Sequence, residues 1–424
     1  MAEVRPLRAL RYDPAVAGPL ELLVAPPYDV IDPAQRAELA ARAEHNVVRL
    51  DLPEAPNGGD PYANANALLE RWREQGALVR DPDPELWALL QDYRGPDGVP
   101  RTRRGVLARV RVEDYGAGRV RPHERTHPGP KLDRLRLTRA TRTNLSPIFA
   151  LHADPAQTAW AELEPHVDGA PFADVTDEQS TRHRVWRVDE PAAIEGYVAA
   201  LKDAELLIAD GHHRYETARV YAEEVGGEGP HRYVLTCLVA LEDPGLTVFP
   251  THRLITALDD DRASALRAAL ERDFDVAPTT REALVPESAG AGEPLRIGYL
   301  DGATQEPLML TLRDQAIADR ALADHAEPYR RLDTAVLEAL LLRGALGLSE
   351  DDISHKLGLD YARDFDEALT AVDSGSARAA FFMAPPPIDR VRAVAVAGES
   401  MPPKSTFFFP KILTGLLFNP LDED

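Results

Sequence analysis

Five consecutive residues, Asp210, Gly211, His212, His213 and Arg214, combine a carboxylate, a glycine, two imidazoles and a guanidinium. They sit between an apolar run, Leu206 to Ala209, that reads as a buried strand, and Tyr215 to Val225, which reads as a helix. A strand therefore ends, Asp-Gly turns the chain, and a helix opens on His-His-Arg. The start of a helix offers unpaired backbone N–H groups and the positive end of its dipole, which suits an anion. Gly211 lets a phosphate approach the backbone. His212, His213 and Arg214 add donors, and an arginine can grip a phosphate with two N–H groups at once. Asp210 is placed to hold a magnesium ion or a substrate hydroxyl. The competing reading is a helix cap carrying a surface basic cluster.

Further polar residues gather in loops. His123-Glu124-Arg125-Thr126-His127 has the spacing of the helical zinc-protease motif, which needs both histidines on one helical face. Pro128 follows His127 and biases that residue away from helix, so the match reads as accidental. On a loop, Glu124 is instead a candidate general base, and Lys131 and Arg134 are candidate phosphate contacts; the alternative is a solvated charged loop. Lys404, Ser405, Thr406 and Lys411 flank Phe407 to Phe409, with the lysines as possible anion ligands and the phenylalanines as core. Tyr28 and Asp29 lie on a proline-stiffened loop. His252 and Arg253 read as a surface cap.

The elements that must position these groups mix both kinds of secondary structure. Strands are expected at Val47–Leu52, Leu86–Tyr93, Arg104–Val112, Asn144–Leu151, 184–188, Val234–Leu241, Leu295–Leu300, Ala379–Met383 and Val391–Ala397. Helices are expected at Pro33–His45, Pro61–Gly76, 155–165, 190–203 and Leu332–Leu348. The fold class is α/β, or mixed α+β, in a multi-lobed chain. The expected domains are an N-terminal α/β region over 1–150 with the His-Glu loop, a core over 151–260 with the strand–turn–helix, and a C-terminal α/β region over 261–424 with the Lys404 loop.

Composition narrows the function classes. The 424 residues carry 48 Lys and Arg against 70 Asp and Glu, a net charge of −22, which opposes unspecific attraction to nucleic acid or anionic membrane. No apolar stretch spans a bilayer and the first residues lack the core of a signal peptide, so the expected location is the cytoplasm. The single cysteine, Cys237, lies in an apolar run and is expected in the core. The chain has no P-loop, no strand-linked GxGxxG and no GxSxG elbow.

The motifs around Tyr28-Asp29, His123-Glu124, Lys131 to Arg134, Asn144-Leu145-Ser146-Pro147, Asp210 to Tyr215, Pro250 to Arg253 and Met401 to Thr406 together resemble a widespread prokaryotic family of domains of unknown function, over almost the whole chain. The Asp210–Arg214 turn also resembles the phosphate-binding strand–turn–helix of the ParB and sulfiredoxin superfamily. That superfamily includes CTP-binding chromosome-partition proteins, sulfiredoxins and nucleotide-dependent free-serine kinases. Sulfiredoxins need a cysteine where this chain has His212, and partition proteins bind DNA through a basic domain that the acidic charge opposes. The resemblance therefore implies a ParB/sulfiredoxin-like core and phosphoryl transfer from ATP or ADP, with Mg²⁺, to a small hydroxyl metabolite, free serine being the leading acceptor. Gly211, His212, His213, Arg214, Lys131, Arg134 and Lys404 would surround the nucleotide. Asp210 would hold the metal, and Glu124, Asp210 and His213 would serve catalysis. The alternatives are a non-catalytic nucleotide-binding regulatory or scaffold protein and a metal-dependent hydrolase using the His-rich loops.

The broken zinc motif makes a direct prediction. Elemental analysis of the purified protein should find no stoichiometric zinc, and tightly held zinc that is lost on His127→Ala would overturn this reading.

Overall fold

A computed structural model describes residues 2–55, 58–95, 97–116, 119–124, 128–290 and 292–422. The chain is a mixed α/β protein that divides into two compact units. The first comprises Met1–Pro122, Thr126–Leu246 and Pro410–Asp424, and the second comprises His123–Arg125 and Thr247–Phe409. The units do not follow the three consecutive stretches 1–150, 151–260 and 261–424, because residues from 410 onward return to the first unit.

The first unit is built on a nine-stranded mixed sheet. From one edge its strands run Val120–Arg121, Leu206–Asp210, Ile148–His152, Tyr233–Ala240, Pro100–Arg111, Leu86–Arg94, Arg182–Val188 and Ala173–Thr176, with Val4–Arg5 also paired to Pro100–Arg111. Tyr233–Ala240 is buried at every position, as its continuous apolar run requires of a strand covered on both faces. Cys237 lies in it, fully buried. Leu206–Asp210 pairs antiparallel with Ile148–His152, and the register shifts between Ile208 and Asp210. This bulge re-aims the end of the strand, where the Asp210 side chain emerges.

A second core in the same unit gathers Tyr12, Val47, Leu69, Trp72 and Phe418. Trp72 comes from helix Pro61–Glu74, whose start is set by Pro61 in the first turn and by the Asp60 side chain accepting from the Tyr62 N–H. The Pro410–Asp422 segment closes this core. Ala25 pairs with Thr414 and Leu10 with Phe418, and the Phe418 ring meets Tyr12 edge-on at 5.6 Å.

The second unit carries a six-stranded antiparallel sheet in the order Phe274–Pro278, Pro307–Leu312, Arg296–Asp301, Ala379–Phe382, His252–Ile255 and Leu359–Ala362. Thr247–Phe249 pairs separately with Phe407–Phe409, so the three phenylalanines form a strand. His252 and Arg253 are buried in the sheet rather than capping a surface. Among the described residues, no helix is long and apolar enough to cross a membrane.

Three segments depart from expectation. Val47–Leu52 alternates like a strand, but Val48–Asp51 is a helical turn, started by the buried Asn46 side chain accepting from the Val48 N–H at 3.0 Å. Val391–Val396 lies in helix Ile388–Val396, with Ala397 as its C-cap, where alanine-rich sequence overrides a short alternation. Leu332–Leu348 is not one α-helix: Asp333–Leu337 passes into a π-helical stretch, Glu338–Arg343.

Phe418 is wholly buried, so Phe418→Ala should cost about 3–5 kcal/mol of stability. Urea denaturation checks this, and a loss below about 1 kcal/mol would show that the 410–422 segment is not part of the core.

Candidate functional site

The turn after the strand Leu206–Asp210 is shaped by Gly211. It adopts φ +91°, a left-handed conformation that an L-residue rarely takes. A Cβ here would also lie 2.9 Å from Arg214 Nε and 3.0 Å from its Cζ. Only glycine satisfies both conditions, so the guanidinium lies directly on the turn. Helix His212–Val225 starts at this glycine, which has no side chain to cap it. His212 is buried and His213 half-buried.

Asp210 receives two cations. Arg214 Nη2 donates to Oδ2 at 2.9 Å and Lys411 Nζ to Oδ1 at 2.8 Å. Burial opposes ionisation of this carboxyl, but the ammonium and guanidinium outweigh it and hold Asp210 well below the usual carboxylate range. Arg214 Nη1 donates to Ser146 Oγ at 2.7 Å and to the Pro147 carbonyl. Thr414 Oγ1 donates to the same Ser146 Oγ at 3.0 Å. Arg214 is therefore a clamp joining the turn to the Asn144–Pro147 loop, and its two terminal nitrogens bond protein oxygens. A phosphate contact at Arg214 would have to share these nitrogens with Ser146, Pro147 and Asp210.

Lys411 is itself held in place. The fully buried Arg103 donates to Gln91 Oε1 and, at 2.5 Å, to the Pro410 carbonyl, while Gln91 Nε2 donates to the Lys411 carbonyl at 3.1 Å. Gln91 Nε2 also lies 3.1 Å from His183 Nδ1, and His183 Nε2 lies 2.9 Å from Asp177 Oδ2. This pattern fits the neutral imidazole with its proton on Nε2. Burial pushes the Arg103 guanidinium down to about 10, so it remains charged at neutral pH. Arg103 also lies 4.5 Å over Phe149, the residue paired with Asp210 across the bulge.

Helix Pro128–Thr141 packs beside helix His212–Val225, where Thr217 Oγ1 donates to the Lys131 carbonyl at 3.4 Å. Lys131 is half-buried. Arg134, expected as a phosphate contact, is buried: it pairs with Asp51 Oδ1 at 2.8 Å and Asp133 Oδ2 at 2.6 Å and lies 4.3 Å over the Tyr28 ring. Its charge is balanced by these two carboxylates. Burial pushes the Tyr28 hydroxyl up to about 12. Asp29 is exposed beside it.

Glu124 and Lys404 belong to the second unit. Glu124 forms a parallel bridge with Met401. Lys404 is exposed, in a left-handed conformation at φ 54°, and Lys411 is the lysine that reaches Asp210. His123 is buried, with Nε2 2.9 Å from Thr406 Oγ1, and His127 lies outside the described residues. Among the described residues, no group of three or more His, Cys, Asp or Glu is placed to hold a metal. Both Asp210 oxygens already take cationic hydrogen bonds, so the assignment of a protein-held magnesium to this carboxylate does not fit. Asp51 and Ser146 are the residues here that the sequence reading gave no binding role, whereas Lys411 was expected only as a possible anion ligand.

The family model described as "Protein of unknown function (DUF1015)" matches residues 4–335. The chain belongs to the DUF1015 family. The matched residues include Asp51, Arg134, Ser146 and the whole Asp210–Arg214 turn, but not Lys411. No curated protein matches the chain. Among solved structures, it is similar to a conserved hypothetical protein from Pyrococcus furiosus, at 14% identity and TM-score 0.35, covering 70% of this chain and 92% of that one. It is similar to a free serine kinase in complex with AMP at 13% identity and TM-score 0.35, covering 72% and 86%. It is also similar to C-terminally truncated SbnI from Staphylococcus aureus at 11% identity and TM-score 0.35, covering 73% and 85%.

The doubly paired Asp210 predicts a titration. Its folded carboxyl is held below the unfolded value of about 3.9, so its contribution to stability is complete above that value and is lost as pH falls through the folded pKa. Lys411→Met should move the Asp210 titration upward, and acid-induced loss of stability should begin at higher pH. Carbon-13 NMR of the carboxyl carbon reads the shift, and an unchanged curve would remove Lys411 from the pairing.

Proposed function

We propose that this DUF1015 member transfers a phosphoryl group from a nucleotide to a small hydroxyl-bearing metabolite at the Asp210–Arg214 turn, with free serine as the leading acceptor. The observation that carries the reading is the helix His212–Val225 opening at Gly211 beside the Lys411 ammonium and the Arg214 guanidinium, both of which are held on Asp210. Phosphoryl transfer requires little covalent chemistry of a protein: it needs donors fixed around the phosphates and an oriented acceptor. In this reading the N–H groups of the first helical turn, His213 and Lys131 receive the phosphates. Asp210 sets the position of Lys411, whose ammonium turns to a phosphate when nucleotide enters. Glu124, the base expected from the sequence, belongs to the second unit and is given no part in this reading. The nucleotide itself comes from the resemblance of the turn to the ParB and sulfiredoxin superfamily. Magnesium enters only with the nucleotide phosphates, since this cation is commonly bound through substrate phosphates and water.

The test is turnover of the purified chain with ATP or ADP and L-serine, with phosphoserine as product. Lys131→Ala should weaken nucleotide binding by about 1–3 kcal/mol in calorimetry, the scale of a charge-assisted hydrogen bond. Nucleotide binding without transfer to any hydroxyl acceptor would favour a regulatory or scaffold role. Absence of nucleotide binding would overturn both.

A further inference from the structure

In the first unit, the hairpin of Leu86–Arg94 with Pro100–Arg111 and the turn 177–181 frame a cleft of about 550 Å³, lined by Asp92, Arg94, Arg101, Thr102, Ser180 and Arg182 among others. Small-molecule sites measure about 300–1,000 Å³, so the space is of ligand size. Strand register places the key groups on one side of the sheet. Arg182 lies opposite Asp92, Asp92 opposite Thr102 and Arg94 opposite Pro100 on antiparallel strands. Cross-strand partners point to the same face, as do residues two apart such as Asp92 and Arg94. None of these residues belongs to the Asp210 site.

Charge decides what such a cleft would take. Arg101 grips Asp97 with two nitrogens at 2.8 and 2.6 Å, and Arg182 grips Asp174 with two at 2.7 and 2.6 Å. Arg184, two residues along the same strand, donates to Asp92 at 2.7 Å. Arg94 is left over. Its Nη1 donates to the Gly98 carbonyl at 2.9 Å, and among the described residues no carboxylate pairs with it and its other two nitrogens make no bond. The cleft therefore carries an excess of positive charge in a chain of net charge −22. The pairs around it are partly exposed and hence weak, so they can share their donors with an incoming anion. The walls are also set in advance. Asp177 Oδ1 accepts from the Gln179 and Thr181 N–H groups at 2.9 Å each, and the Asp177 carbonyl accepts from the Ser180 N–H at 3.0 Å. These bonds hold Ser180 at φ 60°, a backbone conformation that favours glycine, with its hydroxyl-bearing residue exposed at the cleft. A site held in shape before its ligand arrives loses less entropy on binding.

We propose that this cleft is a second ligand site, which binds a small organic oxyanion through Arg94. The ligand carries a phosphate or a carboxylate group, since a guanidinium offers parallel N–H groups that match either one. The anion supplies the countercharge that Arg94 lacks. The proposal goes beyond the phosphoryl-transfer reading and does not rest on it.

Calorimetry of the full chain at low ionic strength tests it, with inorganic phosphate and citrate as separate probes, because salt screens exposed charges. At least one probe should bind. Binding of phosphate alone assigns a phosphate-bearing ligand, and binding of citrate alone assigns a carboxylate-bearing one. Arg94→Gln should weaken the bound probe at least about tenfold, the scale of a charge-assisted hydrogen bond. Arg94 is exposed, so this variant should keep a cooperative thermal transition at the wild-type temperature. It should also keep the wild-type affinity for ADP, which separates the cleft from the Asp210 turn. Failure of both probes to bind, or a loss of less than about tenfold in Arg94→Gln, would overturn the proposal. So would an equal loss of ADP affinity in Arg94→Gln, because one shared site would then account for both ligands. Failure here leaves the proposed function standing, since phosphoserine formation is measured without either probe.

Discussion

A carboxylate taken out of water must be neutralised where it lies, and Asp210 is neutralised from two sides. Arg214 approaches from one helical turn further along the chain, and this local pair is possible because Gly211 has no Cβ to meet the guanidinium. Lys411 approaches from about two hundred residues away in sequence, which commits the 410–422 segment to the first unit. Thr414 bonded to Ser146, Phe418 in the core and Asn419 paired with Asn144 are consistent with that commitment. The charge requirement of one turn and the topology of the segment are thus coupled.

The polar interior around this pair follows two patterns. On one side a continuous chain runs from Asp177 through His183 and Gln91 to Arg103 and the Pro410 and Lys411 carbonyls. Such chains are rigid when complete, and this one fixes the backbone that carries the Lys411 ammonium. On the other side Arg134 is held between Asp51, Asp133 and the Tyr28 ring. There the bonding is incomplete at Asp51 Oδ2 and Arg214 Nε, both buried and without a hydrogen-bond partner among the described residues.

Several arginines illustrate how far residue type underdetermines role. In sequence, Arg134 and Arg214 read as phosphate ligands because arginine bonds phosphate well. That same forked geometry bonds carboxylates and carbonyl oxygens equally well, and the fold supplies those partners first. Lys404 and Lys411 show the same ambiguity between neighbours: they flank the strand Phe407–Phe409, yet one is exposed and the other reaches Asp210. Lys131, half-buried on the helix beside the signature, keeps the role that sequence reading assigns to it in the proposal.

The sequence by itself determined the local architecture of the site. Leu206–Asp210 as a buried strand, glycine at the turn and a helix from His212 all follow from short-range chemistry: an apolar run, a residue free to take positive φ, and a helix-forming tail. The hairpin of Leu86–Arg94 with Pro100–Arg111 and the buried Cys237 strand were legible for the same reason. The six-residue alternation at Val47–Leu52 was misleading because its helical turn depends on Asn46 and on neighbours distant in sequence. Only the tertiary structure decided that Asp51, Ser146 and Lys411 meet the Asp210 turn and that the domains are discontinuous. Periodicity and propensity are sums over a few neighbouring residues. The pairing of a buried charge is a contact between segments, and nothing local specifies which distant partner will satisfy it.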